Sequence, residues 1–290
     1  MTRFGTTVTV SAFVVFFCAS QTLGGIIWYT AEADNSRGWS HLFSVDTASG
    51  EIEDRGELHG LRYVTDLAMD QDGALYGVGW TNGHANGTSK LYRFTPGDET
   101  TRADWDIVKI KSNKMERSVN AAVLKDGDLY IASAQGKIQK LSYEARHDRW
   151  NVVKTASLGY RSSGDLAFDA TGETLYITLA GGSLGTVNFD TSSKNFGNVN
   201  VLGNSGYGEL FGLAMVDNSL YATTNGPGNY EPSYLVQLGF TEGEASNPLF
   251  LDQFVWGAVE QTSLIPEPTT TVVLALGGWL ALIRRRRMVA

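Results

Sequence analysis

A Leu-Tyr pair recurs at positions 75, 129, 175 and 220, each time in the same setting. Val64-Thr-Asp-Leu-Ala-Met-Asp70 leads into Gly73-Ala-Leu-Tyr-Gly-Val78, and Val119-Asn-Ala-Ala-Val-Leu124 leads into Gly127-Asp-Leu-Tyr-Ile-Ala132. Gly164-Asp-Leu-Ala-Phe-Asp169 leads into Glu173-Thr-Leu-Tyr-Ile-Thr178, and Phe211-Gly-Leu-Ala-Met-Val-Asp217 into Asn218-Ser-Leu-Tyr-Ala-Thr223. The pairs are 45 to 54 residues apart. A period of this length, carried by short runs of strand-forming residues, confines a chain to an array of similar sheet units. Asp72-Gly73, Asp126-Gly127, Thr171-Gly172 and Asp217-Asn218 separate the first two runs of each unit, and such dipeptides close tight hairpins.

Two more alternating runs complete each repeat. The third lies near residues 91–94, 138–141, 185–189 and 234–238, and the fourth near 105–110, 150–155, 199–202 and 249–254. Four short strands in about 45 residues make up one blade of a propeller. The chain ends supply another unit. Residues 26–30, 41–45 and 52–58 read as second, third and fourth strands, and 256–260 match Phe211-Gly-Leu-Ala as the missing first strand. The expected fold is all-β: a five-bladed β-propeller of four-stranded antiparallel blades over residues 25–264. Pairing of the N- and C-terminal strands closes it and leaves no open edge at the seam. A β-sandwich is the alternative architecture.

Both termini read as processing signals. Arg3, the apolar residues 8–18 and the small residues Ala19-Ser20 and Gly24-Gly25 form a secretory signal peptide, 1–24. At the other end stand Pro266, Glu267 and Pro268, then residues 269–283 without a charge, then Arg284, Arg285, Arg286 and Arg287. The prolines hold the motif extended. Residues 269–283 as a helix would rise about 22 Å, short of the roughly 30 Å hydrocarbon core, so this short transmembrane helix requires local thinning or snorkelling. The arginines act as a stop-transfer cluster and keep that end cytoplasmic. The segment 265–290 resembles the PEP-CTERM sorting signal carried by exosortase substrates of Gram-negative bacteria. The resemblance implies export by the Sec machinery and transient anchoring in the inner membrane by the C-terminal helix. It further implies cutting near Pro266–Pro268 by an exosortase-type sorting protease. The product would reside at the cell surface or in the extracellular matrix, with extracellular polysaccharide a candidate partner.

The only cysteine, Cys18, lies in the signal peptide, so the remaining domain is stabilised without disulfides. Setting aside Arg3, the tail arginines and Glu267 from 23 basic and 31 acidic residues leaves 18 and 30, a net charge of −12. Such a surface disfavours nucleic acid as a partner and is compatible with divalent cations.

The repeat places Asp66, Asn120, Asp165, Gly212 and Gly257 at the starts of the innermost strands, where they would meet around the channel mouth. Two carboxylates and one amide oxygen are hard ligands, so Ca²⁺ is a candidate cofactor. This arrangement resembles gluconolactonase-like propellers, whose inner strands carry acidic and amide side chains around a metal, although those have six blades. Alternatively, these side chains bond to nearby backbone N–H groups. Asp66, Asp165 and Glu209 could serve as the carboxylate set of a glycoside hydrolase or lactonase-like enzyme. The four histidines have no metal-ligand spacing, and no nucleophile elbow or phosphate loop is present. Tyr76, Tyr130, Tyr176 and Tyr221 are expected to pack between blades. Trp39, Trp80 and Tyr230 follow second strands, where exposed rings can stack on sugars. The expected role is that of an exported, non-catalytic ligand-binding or scaffold domain, with the secreted hydrolase as the alternative.

Overall fold

The structure, a computed structural model, describes residues 25–32, 39–80, 87–96, 105–225 and 233–260. The expected signal peptide, Tyr230, the Pro266, Glu267 and Pro268 motif, the expected tail helix and Arg284 to Arg287 lie outside the described residues. Among the described residues the one helical element is a 3₁₀ turn, Ala145–His147, and no helix is long and apolar enough to cross a membrane.

The rest is strand, numbered here in chain order. β1 (Ile26–Glu32), β2 (Ser40–Asp46) and β3 (Ile52–Glu57) follow one another in a sheet whose first place is taken by β20 (Val255–Glu260). β4 (Val64–Met69), β5 (Leu75–Trp80), β6 (Ser89–Pro96) and β7 (Trp105–Asn113) form a meander. So do β8 (Val119–Lys125), β9 (Asp128–Ser133), β10 (Lys137–Glu144) and β11 (Arg149–Ser157). β12 (Ser162–Phe168), β13 (Leu175–Leu179), β14 (Ser183–Val187) and β15 (Val199–Asn204) make a third meander. β16 (Leu210–Val216), β17 (Ser219–Asn225), β18 (Ser233–Leu238) and β19 (Ala245–Leu251) make a fourth. The first strands lie side by side in a closed order: β20 beside β4, then β8, β12 and β16, and β16 again beside β20. The fold is all-β and propeller-like, built from four-stranded antiparallel sheets.

Each local element follows from its residues. The β8–β9 hairpin turns on Asp126 at φ 52° and Gly127 at φ 77°, the left-handed pair that a two-residue turn between twisted strands requires. Asp217 and Asn218 repeat this between β16 and β17 at φ 48° and 61°. Outer strands alternate between half-buried and exposed residues, whereas inner strands are buried almost throughout.

Two features depart from the sequence expectation. The last outer strand begins at Ala245 rather than near residue 249, because Asn247 at φ 51° bulges the strand ahead of Pro248. Proline is tolerated there because β19 is a sheet edge. The second departure is that two meanders merge into one eight-stranded sheet. Lys111 to Asn113 of β7 pair in parallel with Arg149 to Asn151 of β11, which removes two open edges.

The core lies between adjacent sheets. One buried cluster joins Leu42 and Leu58 to Val64, Leu67 and Phe94, and the next joins Val78 and Leu91 to Val119, Ile131 and Leu141. Three more follow around the ring, the last packing Val216 and Leu235 against Ile27, Tyr29 and Val255. Tyr76, Tyr130, Tyr176 and Tyr221 each pack into one of these inter-sheet clusters, as Trp28 does at the equivalent place. Serines at third-strand starts add polar clamps. Ser40, Ser89 and Ser233, all buried, accept the backbone N–H of Val64, Val119 and Val255 in the next sheet.

Candidate functional site

Around the ring axis, each first strand carries a register shift near its start. The shift decides which side chains meet. Asp66 stands opposite Val78, one place beyond the shift, and Gly212 stands likewise opposite Thr223. In β8 that place belongs to Ala121, opposite Ala132. Asn120 therefore falls one residue earlier, and in a strand a one-residue step turns a side chain to the other face. The expected Asp66, Asn120, Asp165 alignment is corrected accordingly: Asp66 and Asp165 come together, and Asn120 points elsewhere.

Asp66 and Asp165 meet inside the ring, both at 0% exposure, not at an open mouth. Their carboxyl groups lie close enough for each to shift the other's protonation. Asp165 Oδ1 accepts the N–H of Leu166 at 2.5 Å, and its Oδ2 accepts those of Leu213 at 2.5 Å and Ala258 at 3.4 Å. Asp66 Oδ2 accepts the N–H of Ala122 at 2.5 Å, and its Oδ1 has no hydrogen-bond partner among the described groups. The pair thus ties β4, β8, β12, β16 and β20 together. Burial pushes both carboxyls well up, and the contact between them raises Asp66 while favouring the charged form of Asp165. A proton on Asp66 Oδ1, shared with Asp165, would give that oxygen the partner it lacks and leave Asp165 ionised under its N–H donors. The glycines opposite leave the required space. A Cβ on Gly257 would lie 2.5 Å from Asp66 Oδ1, and one on Gly212 would lie 2.7 Å from Ala258 Cβ.

These groups do not fit a Ca²⁺ centre. Calcium takes six to eight oxygens, whereas three of the four carboxylate oxygens here accept N–H groups and the fourth faces its partner. Among the described residues no cluster of three His, Cys, Asp or Glu side chains could hold a metal.

Asn120 opens onto a cavity of about 210 Å³ at the start of the same strands. Thr65, Asn120, Gly164, Phe211 and Trp256, one from each first strand, frame it. Four of the residues that line it each carry a buried polar atom without a protein partner: Asn120 Oδ1, Ser162 Oγ, Glu209 Oε2 and Trp256 Nε1. Each such atom costs about 1–3 kcal/mol if left unmet. Their neighbours are tethered. Asn120 Nδ2 donates to the Ser162 carbonyl at 3.1 Å, and Glu209 Oε1 accepts the Gly181 N–H at 3.0 Å. Arg161 Nε donates to the Ala134 carbonyl at 3.0 Å at the rim. Two walls are aromatic. Trp80 is fixed by its Nε1 bond of 2.7 Å to the Val119 carbonyl, and Trp256 packs edge-on against Phe211 and Phe254.

The opposite end of the ring holds a wider cavity of about 420 Å³, walled by the ends of first strands and by residues of hairpin turns. Glu260 there is pushed up to about 7 by burial, with Asp217 adding to the shift. None of the described unpartnered buried atoms lies at that end.

Of the expected site residues, Asn120 and Glu209 line the mouth cavity with Trp80, and Trp39 lies beside a neighbouring cavity. Ser162 and Trp256 were missed. Trp256 stands one residue before the aligned Gly257, and Ser162 three residues before the aligned Asp165, so only Trp256 had a signal at a fixed place in the repeat.

No protein-family model and no curated protein matches this sequence. Among solved structures, the chain is similar to one from a nidogen/laminin complex, at 12% identity and TM-score 0.50, over 82% of this chain and 98% of that one. It is also similar to the periplasmic gluconolactonase of Pseudomonas aeruginosa, at 15% identity and TM-score 0.45, over 78% and 68% of the two chains. An auxiliary nutrient binding protein of Bacteroides thetaiotaomicron gives 12% identity and TM-score 0.45, over 81% and 64%. At these identities the likeness is one of fold.

Proposed function

We propose that this chain is an exported five-bladed propeller that binds, without turning over, a small hydroxylated ligand in the mouth cavity. The closed order of first strands and the β20–β1 pairing support the blade number. One observation carries the ligand reading: four residues lining a single cavity between two tryptophans each hold a polar atom without a protein partner. Donors (Trp256 Nε1, the free Arg161 N–H groups) and acceptors (Asn120 Oδ1, Glu209 Oε2) alternate with ring faces, the combination that suits a polyol or sugar ring. At about 210 Å³ the cavity is smaller than the roughly 300–1,000 Å³ of drug-sized sites, which favours a single ring.

Binding is favoured over hydrolysis because glycoside hydrolysis requires two carboxyl groups flanking the substrate, about 5–9.5 Å apart. Among the described residues Glu209 is the one carboxylate lining the cavity, while Asp66 and Asp165 are sealed beneath it. Export and sorting rest on the two terminal signals. Deleting residues 266–290 should shift the protein's distribution between membrane and medium, and an unchanged distribution would refute the sorting role.

The ligand reading is tested by tryptophan fluorescence and thermal shift of the full-length, detergent-solubilised chain against monosaccharides and short oligosaccharides. A saturable response that weakens at least about tenfold in Trp256→Phe and Glu209→Gln is expected, the loss of one to two buried hydrogen bonds. A response unchanged by both substitutions, or none to any sugar, would remove the mouth cavity as the site.

A further inference from the structure

Beside the mouth lies a second cavity of about 420 Å³, and Trp80 lines both. Its wall includes Trp39, Arg62, Tyr63, Lys90 and Tyr92. Two cations and four aromatic rings meet there, and no carboxylate lines it among the described residues. That is unusual on a domain carrying a net charge of −12 once its terminal signals are set aside. Arg62 is held in place, its guanidinium 5.5 Å from the centre of the Trp39 ring, and Trp39 leans on His59 at 5.4 Å. No described acidic residue forms an ion pair with Arg62 or Lys90.

Resting on the mouth cavity as a sugar site, we infer that this side cavity is an anion-recognising subsite, and that the ligand is a saccharide bearing a carboxylate, such as a hexuronic acid unit. One ring occupies the mouth cavity between Trp80 and Trp256. The neighbouring acidic unit crosses Trp80 and sets its carboxylate against Arg62 and Lys90. Guanidinium and ammonium donors make charge-assisted bonds to a carboxylate, and the tryptophan and tyrosine faces cover the sugar's C–H surface. The negative field of the rest of the domain repels anions elsewhere, so the subsite selects by position as well as by charge.

Isothermal titration of the full-length chain with digalacturonate and with its uncharged methyl ester tests this. The acid should bind at least about tenfold more tightly than the ester, and added salt should weaken the acid alone. Arg62→Gln combined with Lys90→Gln should bring the acid to the level of the ester. Trp256→Phe should weaken both probes. Equal binding of acid and ester by the native chain, or acid binding untouched by the double substitution, overturns the anion subsite while the mouth cavity stands. Failure of the native chain to bind either probe removes the mouth reading and this inference with it.

Discussion

Asp66 and Asp165 hold equivalent places in the repeat but do different work. Asp165 accepts three backbone N–H groups, whereas Asp66 accepts one and turns its other oxygen to its partner. Asparagine can therefore replace protonated Asp66, its amide donating to Asp165. Asp66→Asn is expected to stay within about 1 kcal/mol of the native chain near pH 5. Asp165→Asn leaves N–H donors unmet and should cost about 2–4 kcal/mol. The pH dependence has a fixed sign. Both folded values are raised, so the folded pair keeps a proton that unfolded aspartates release above about pH 4. Its stabilisation is full at low pH and is lost as pH rises through the folded value. Urea unfolding from pH 5 to 8 should show native stability falling relative to Asp66→Asn, and parallel curves would exclude the shared proton. Gly257→Ala should cost about 3 kcal/mol or more, because its Cβ would sit 2.4 Å from Asp66 Cα. The sequence made the importance of positions 66, 165, 212 and 257 legible. It did not reveal their burial, because strand-start acids look alike whether they face solvent or one another.

Strands and their periodicity were the most legible level. Leu-Tyr marks the second strand of four meanders, and Trp256 to Glu260 was recognisable as the strand that completes the first sheet. What stayed hidden came from residues that break periodicity. The turn between β8 and β9 is shorter than that between β4 and β5, so Asn120 matches Thr65 rather than Asp66, and Asn247 moves the start of β19. The parallel pairing of β7 with β11 involves Lys111 to Asn113 and Arg149 to Asn151, polar edge residues with no apolar pattern to announce it. The serine clamps were visible in retrospect, one at each of three third-strand starts. Each buried serine satisfies an N–H of the next sheet, so Ser40→Ala, Ser89→Ala and Ser233→Ala should each lower stability by about 1–3 kcal/mol in urea titrations. Losses near zero would show that the N–H groups find other partners. Closure by β20 is a further test at this scale. Replacing Ala258 by proline puts a residue without an N–H opposite Tyr29 and against Asp165, and should abolish cooperative unfolding.

At the scale of the whole molecule, the repeat, the ring and the cavity form one argument. Similar sheets pack through apolar clusters, the first strands converge, and a carboxyl pair fills the axis below a polar, aromatic mouth. The mouth residues come from different repeats, so only ring closure brings Asn120, Ser162, Glu209 and Trp256 together. That is why the repeat disclosed the fold more fully than the site. The most direct test is a crystal structure of the chain grown with digalacturonate. The account predicts one sugar ring between Trp80 and Trp256, hydrogen-bonded to Asn120, Ser162 and Glu209, above the closed ring of first strands. Saccharide bound elsewhere, with the mouth cavity holding only solvent, would contradict it.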